Sequence, residues 1–158
     1  MRKILFFISV FILANYANSQ ITTNYSLSDA LISDNTRCFA EDNNGNIWIG
    51  SSAGISVFDG SDFSYFTTED GLGGNVIYDF LVHSNGNVYA ATSGGLSKYN
   101  GVSWMNYDAG SGLPSNSIWC VDEDIDGKIW VGTSSNGAAY YDGVNWHVLS
   151  ENQGLISN

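Results

Sequence analysis

The chain has 158 residues, of which 16 are acidic and five basic, for a formal charge of −11. Phosphate backbones are bound by clustered Lys and Arg, so nucleic acid is not expected as a partner. Two cysteines do not make a disulfide scaffold, and high Gly and aromatic content with a single proline points to an all-β chain with many tight turns.

The amino terminus reads as a targeting segment. Arg2 and Lys3 precede an apolar run from Ile4 to Ala14, and the small residues Ala17 and Ser19 suit cleavage before Gln20. Residues 1–19 are therefore expected to be a signal peptide, because so short a run cannot cross a hydrocarbon layer of about 30 Å. The mature protein is expected to be exported, to the periplasm, the cell surface or the medium, without membrane insertion. Its basic residues are then Arg37, Lys98 and Lys128. A surface with this charge repels anionic ligands unless a local basic spot intervenes.

From Leu31 the chain repeats itself with a period of about 41 residues. The copies occupy residues 31–71, 72–112 and 113–154, and residues 155–158 begin a fourth. Gly45, Gly86 and Gly127 coincide, as do Trp48, Tyr89 and Trp130, and Phe63, Trp104 and Trp146. Each copy predicts four short strands. An inner strand follows an L-x-x-[ND] corner and is apolar enough to be covered on both faces. The second carries IWIG, VYAA or IWVG; the third carries ISVF, LSKY or AAYY. An Asp-Gly or Asn-Gly turn then leads into a fourth strand that begins with an aromatic residue. Four antiparallel strands per 40 to 45 residues is the arithmetic of a β-propeller blade.

Specific runs carry a resemblance. Gly112 to Asn116 (GLPSN), Asp124 to Thr133 (DIDGKIWVGT), Gly94 to Tyr99 (GGLSKY) and Asp142 to Trp146 (DGVNW) resemble the two-component regulator propeller repeats of bacteria. Copy two departs from that pattern with Tyr89 for Trp and Ala91 for Gly. The resemblance implies an extracytoplasmic ligand-recognition or sensor propeller, of the kind found in the periplasmic sensing regions of hybrid histidine kinases, where glycan fragments are typical signals. It implies no enzyme in these residues, although a longer chain of this kind could carry a kinase. Alternatives are a secreted or surface-displayed scaffold for protein interaction with a downstream sorting domain and, third, a propeller lyase.

Residues 20–30 read as a ring-closing outer strand, since Asn24-Tyr25 precede Leu31 as Asn106-Tyr107 precede Leu113. Three blades leave two sheet faces uncovered, so an amino-terminal fragment of a larger propeller is expected, completed by downstream blades of the same chain or by further copies.

For chemistry, neither His83 nor His147 is placed near a candidate nucleophile, and no cofactor is expected. Cys38 and Cys120 share one repeat position in blades that are not neighbours, so two packed thiols are expected instead of a disulfide. The matched tryptophans suit packing between blades better than sugar platforms. Residues that vary where their neighbours stay regular are the better site candidates. Arg37, Tyr78 and Trp119 share one inner-strand position, and Asn116, Ser134 and Asn136 lie in the corner and loop of the same rim. That rim suits a small polar ligand or glycan, or a protein partner; plain solvated loops are the alternative. The stretch Asp122 to Gly127 imitates the opening of a calcium loop at Asp122, Asp124 and Asp126. Its register with Asp42 to Gly45 and His83 to Gly86 makes it a hairpin turn, with calcium the weaker alternative and Asp122 unexplained.

Overall fold

The computed structural model describes residues 10–11, 22–26, 28 and 30–156. Apart from Val10 and Phe11, the segment read as a leader lies outside the described residues, as do Ser157 and Asn158. β1 (Val10–Phe11) pairs antiparallel with β2 (Thr22–Thr23).

Among the described residues, three four-stranded antiparallel sheets follow, each a meander in chain order. The first holds β3 (Thr36–Glu41), β4 (Ile47–Ser51), β5 (Ile55–Phe58) and β6 (Phe63–Phe66). The second holds β7 (Ile77–Val82), β8 (Val88–Thr92), β9 (Gly95–Tyr99) and β10 (Trp104–Tyr107). The third holds β11 (Ile118–Glu123), β12 (Ile129–Thr133), β13 (Ala138–Tyr141) and β14 (Trp146–Leu149). These are β-propeller blades, and their inner strands β3, β7 and β11 adjoin one another in that order. β7, which adjoins both β3 and β11, has no exposed residue, in line with the double cover expected, whereas β3 alternates half-buried and exposed residues along its length. The reason is position, because an inner strand turns its two faces toward the blades on either side, and among the described residues no blade precedes the first.

The corners between blades repeat closely. Short 3-10 turns at Thr68–Asp70, Ala109–Ser111 and Glu151–Gln153 end at Gly71, Gly112 and Gly154, each near φ +105°. The next residue then bonds back, Leu72 to the Thr67 carbonyl and Leu113 to that of Asp108. Before the first blade Leu31 makes the same bond to Ser26, and Ala30, at φ 129°, stands where the others have glycine. Tyr25 packs on Phe58 and Phe63 with ring centroids 5.5 and 5.4 Å away. Phe66 meets Tyr99 and Trp104 in the same manner at 5.2 and 5.4 Å, and Tyr107 meets Tyr141 and Trp146 at 5.7 and 5.6 Å. Tyr25 therefore occupies, against the first blade, the place of the residue that ends a preceding outer strand.

Packing lies between sheets. Trp48 is buried in a cluster that joins Ile55 and Val57 of the first blade to Leu72, Ile77, Phe80, Val88 and Ala90 of the second. Tyr89, Ala91 and Leu96 form the corresponding cluster with Leu113, Ile118, Val121, Ile129, Val131 and Ala139. The matched aromatics are core, as the repeat register implies. On the outer side of the third blade the equivalent Trp130 is only half-buried, its ring tilted against that of Tyr140 at 4.8 Å.

One pairing explains a departure in copy two. Cys38 faces Gly50 across β3 and β4, Asp79 faces Ala91, and Cys120 faces Gly132. A Cβ added at Gly50 would lie 2.5 Å from Cys38 Sγ and 2.7 Å from Ile77 Cγ2; at Gly132 it would lie 2.5 Å from Cys120 Sγ. The thiol fills the space of the missing methyl, so glycine accompanies cysteine. The carboxylate of Asp79 instead reaches into the next blade, where Val121 N donates to it at 3.1 Å, and an alanine methyl is accommodated. Burial, with Asp79 nearby, pushes the Cys38 thiol up to about 12. Cys120 is free and exposed, so of the two thiols expected to be packed only Cys38 is covered by a following blade.

A second pairing involves the turn between the first two strands of each blade. Asp42 Oδ1 accepts from Asn44 N and Asn46 N, while Oδ2 accepts from the Trp48 indole at 3.1 Å. Asp124 accepts likewise from Asp126 N, Lys128 N and the Trp130 indole, the last at 2.8 Å. In the middle blade both partners change. His83 Nδ1 accepts from Asn85 N at 3.1 Å, and its ring lies 5.7 Å from that of Tyr89. A tyrosine offers no indole N–H here, so the second carboxylate oxygen has no partner to serve.

Two outcomes follow from these pairs. Gly50→Ala should destabilise by about 1–3 kcal/mol through overpacking and be restored only in part by Cys38→Ala because Ile77 also obstructs it, whereas Gly132→Ala should cost less, because its close contact is the exposed Cys120 thiol, which can turn aside; urea unfolding of the double-mutant cycles measures both. Burial raises the Asp42 pKa, but the bonds from Trp48, Asn46 and Asn44 outweigh it and hold the carboxyl below its usual value. Such a depressed group contributes stability that is present above the unfolded pKa of about 4 and lost as pH falls through the folded value. Asp42→Asn should therefore lower the thermal midpoint at pH 6, with the gap to wild type closing toward pH 2 in circular-dichroism melts.

Candidate functional site

Each inner strand carries a β-bulge at the same place. Thr36 pairs with Ser51 and Cys38 with Gly50, so Arg37 is an extra residue in β3. Tyr78 is extra between Ile77 and Asp79, and Trp119 between Ile118 and Cys120. A bulged residue is freed from the ladder, and its side chain is re-aimed relative to a regular strand. The position selected from sequence variation is thus the position at which each blade leaves regular pairing.

The three side chains form a ladder across three blades. Arg37 Cζ lies 5.5 Å from the centroid of the Tyr78 ring, within cation–π range. The Tyr78 and Trp119 centroids are 6.0 Å apart with planes inclined by 33°. Arg37 is exposed, Tyr78 half-buried, and Trp119 57% exposed with its indole N–H donating to Ser117 Oγ at 3.2 Å.

The rim beside the ladder is held by backbone bonds. Ser52 N donates to Asn35 O, Ser93 N to Val76 O and Ser134 N to Ser117 O, which ties each loop between second and third strands to the corner before the inner strand. Asn116 Oδ1 accepts from Ala109 N at 2.7 Å and caps the preceding 3-10 turn, as Asn75 does with Thr68 N at 2.8 Å. Asn136 donates through Nδ2 to Pro114 O at 2.9 Å and through N to Thr133 Oγ1. Ser134 is exposed in the same loop. Arg37, Tyr78 and Trp119 are therefore brought together, while Asn116 and Asn136 bond to the rim itself and shape it.

The acidic stretch is a turn. Both Asp124 oxygens serve backbone amides and the Trp130 indole; that indole bond, followed by the amides, holds its carboxyl below the usual range. Asp126 lies 3.5 Å from Lys128 Nζ, and Asp122 Oδ1 accepts from Glu123 N. Among the described residues no cluster of three His, Cys, Asp or Glu is placed to hold a metal ion. The weaker calcium alternative at Asp122, Asp124 and Asp126 has no geometric support.

At the opposite end of the inner strands lies a cluster that sequence reasoning missed. Glu123 accepts from Ser84 N at 2.8 Å and from Ser84 Oγ, and these bonds lower its pKa. His83 Nε2 is 3.5 Å from the same carboxylate and 3.3 Å from Gly127 O. Ser84 Oγ also lies 3.4 Å from His83 Nδ1, so a histidine does stand beside a hydroxyl, contrary to expectation. The hydroxyl proton, however, is directed to Glu123, and Nδ1 accepts from Asn85 N, so the imidazole is not the acceptor of that hydroxyl. The available signal was His83 itself, where the other copies have Asp. A concavity lined by Tyr107, Tyr141 and Trp146 lies between the second and third blades, and its rings are the interblade trio already described.

The family model for the two component regulator propeller matches residues 30–53 and 112–135. No match emerges among curated proteins. Among solved structures, the extracellular domain of a hybrid two component system from B. thetaiotaomicron superposes with a TM-score of 0.80 at 22% identity, over 90% of this chain and 20% of that one. A second such domain from the same organism gives 0.66 at 21% identity, over 82% and 20%. A streptogramin B lyase gives 0.57 at 19% identity, over 73% and 41%. The chain thus spans about a fifth of the length of the two sensor-system domains, and likeness at these identities shows the fold. The glycine corners and four-stranded blades lie in one register with both matched segments, so the chain is similar to the two component regulator propellers over residues 30–53 and 112–135.

Proposed function

We propose that the chain is a recognition part of an exported sensor propeller, whose ligand is a glycan bound at the rim where Arg37, Tyr78 and Trp119 emerge. The observation that carries this reading is the coincidence of three β-bulges with the three residues that break the repeat. Packing explains the matched tryptophans, but it does not explain why a cation and two rings of different size occupy the bulged position of successive blades. An exposed indole beside a tyrosine and a guanidinium is chemistry suited to the apolar face and hydroxyl groups of a pyranose.

Other features support export and sensing. Residues 1–19 have the charge and apolar length of a signal peptide. Among the described residues no helix is long and apolar enough to cross a membrane. The fold is that of extracellular domains of two component systems. On this reading the chain acts by recognition and is not itself an enzyme. A scaffold for protein partners is the second reading, favoured by the exposed Phe39 and Tyr65 on the first blade.

Trp119→Ala should weaken binding of the recognised oligosaccharides at least tenfold. Thermal stability should change little, because the side chain is largely exposed and lies outside the interblade clusters. Isothermal titration against a panel of disaccharides, beside thermal melts of both proteins, decides it; binding that is indifferent to Trp119 would remove the ladder from consideration.

A further inference from the structure

The charge on the ladder specifies the ligand further, and this step rests on the ladder being the binding site. With 16 acidic residues against five basic ones, the chain carries a field that disfavours anions. The other cations of the blades are committed elsewhere: Lys98 Nζ lies over the Tyr89 ring at 5.7 Å, and Lys128 Nζ lies over Tyr140 at 5.8 Å and beside Asp126. Among the described residues, ion pairs join His83 to Glu123, Lys128 to Asp126 and His147 to Asp142, and Arg37 takes part in none of these. An exposed guanidinium in so acidic a chain has many carboxylates within the reach of evolution, yet here it is held over a ring.

We propose that Arg37 receives the carboxylate of an acidic sugar, so that the ligand is a uronate-containing oligosaccharide. A guanidinium presents paired N–H donors that match the two oxygens of a carboxylate, and its weak hydration lets it keep the ring contact while doing so. Tyr78 meets the guanidinium from one side, its ring centroid 5.5 Å from Cζ. Trp119 lies one ring step further along the rim, 6.0 Å from Tyr78, and offers the face on which a second sugar stacks. The surrounding acidity then acts as a filter: it repels polyanions and leaves one place where a single carboxylate is welcome.

The test uses α1,4-digalacturonate and its neutral counterpart α1,4-galactobiose, titrated calorimetrically into the chain at low and at physiological salt. Digalacturonate should bind at least tenfold tighter at low salt, with the ratio falling as salt screens the interaction. Arg37→Gln should bring the ratio close to one while leaving the thermal midpoint unchanged, and Arg37→Lys should retain part of the preference. Equal affinities in the wild type, or a preference that survives Arg37→Gln, would overturn the assignment. Should both sugars bind equally and both be lost in Trp119→Ala, the glycan reading of the rim stands and the acidic ligand alone falls. Should neither bind, both fall together.

Discussion

Each blade has two faces and no core of its own, so the fold depends on what one sheet offers the next. The central contact is the ring carried by the second strand. Trp48 lies flat on Phe66, 5.8 Å away with planes inclined by 9°, and meets Phe80, Tyr99 and Trp104 of the following blade edge-on or tilted. Truncating such a side chain typically costs about 3–5 kcal/mol, and here the loss would fall on two blades at once. Everything nearer the axis is positioned by this contact: it sets how closely β3 and β7 approach, and hence how near Arg37 comes to Tyr78.

That dependence separates structural from functional residues at a position-by-position level. A residue facing a neighbouring blade must satisfy the repeat, and it recurs as Trp48, Tyr89 and Trp130 or as Phe63, Trp104 and Trp146 do. A bulged residue on the inner strand is released from the ladder, and Arg37 and Trp119 are exposed there. Arg37, Tyr78 and Trp119 differ in charge and size without disturbing the blades around them, which is why the ladder tolerates, and so can encode, chemistry.

The repeat made most of the fold legible. Strand number, blade boundaries, hairpin turns and the aromatic core follow from a period of about 41 residues with glycine and aromatics in fixed register. The bulged position was legible as variation, though the bulge itself was not, because alternation in β3, β7 and β11 reads the same whether or not a residue is inserted. Cross-blade polar bonds were not legible either. Nothing in the local sequence shows that Asp79 reaches Val121 N or that Ser84 reaches Glu123, since those partners are 42 and 39 residues away and lie in another sheet. The cover on Cys120 was misjudged for a similar reason: its repeat position predicts packing, and packing there comes from a following blade.

The departures of the middle blade form one set when viewed across its junction with the third. Trp becomes Tyr89, which removes an indole donor; the turn residue that served it becomes His83, whose second nitrogen is free to face Gly127 O and Glu123. Cys becomes Asp79, which bonds Val121 N, and the glycine opposite becomes Ala91. The junction between the first and second blades is held by edge-on and tilted rings, whereas that between the second and third adds hydrogen bonds at both ends of the inner strand. Directional bonds fix orientation more narrowly than apolar contact does, so the placement of Trp119 relative to Tyr78 is more tightly set than that of Arg37. A ladder with one rigid aromatic step and one adaptable cationic step suits a ligand whose ring must be placed before its charge is recognised.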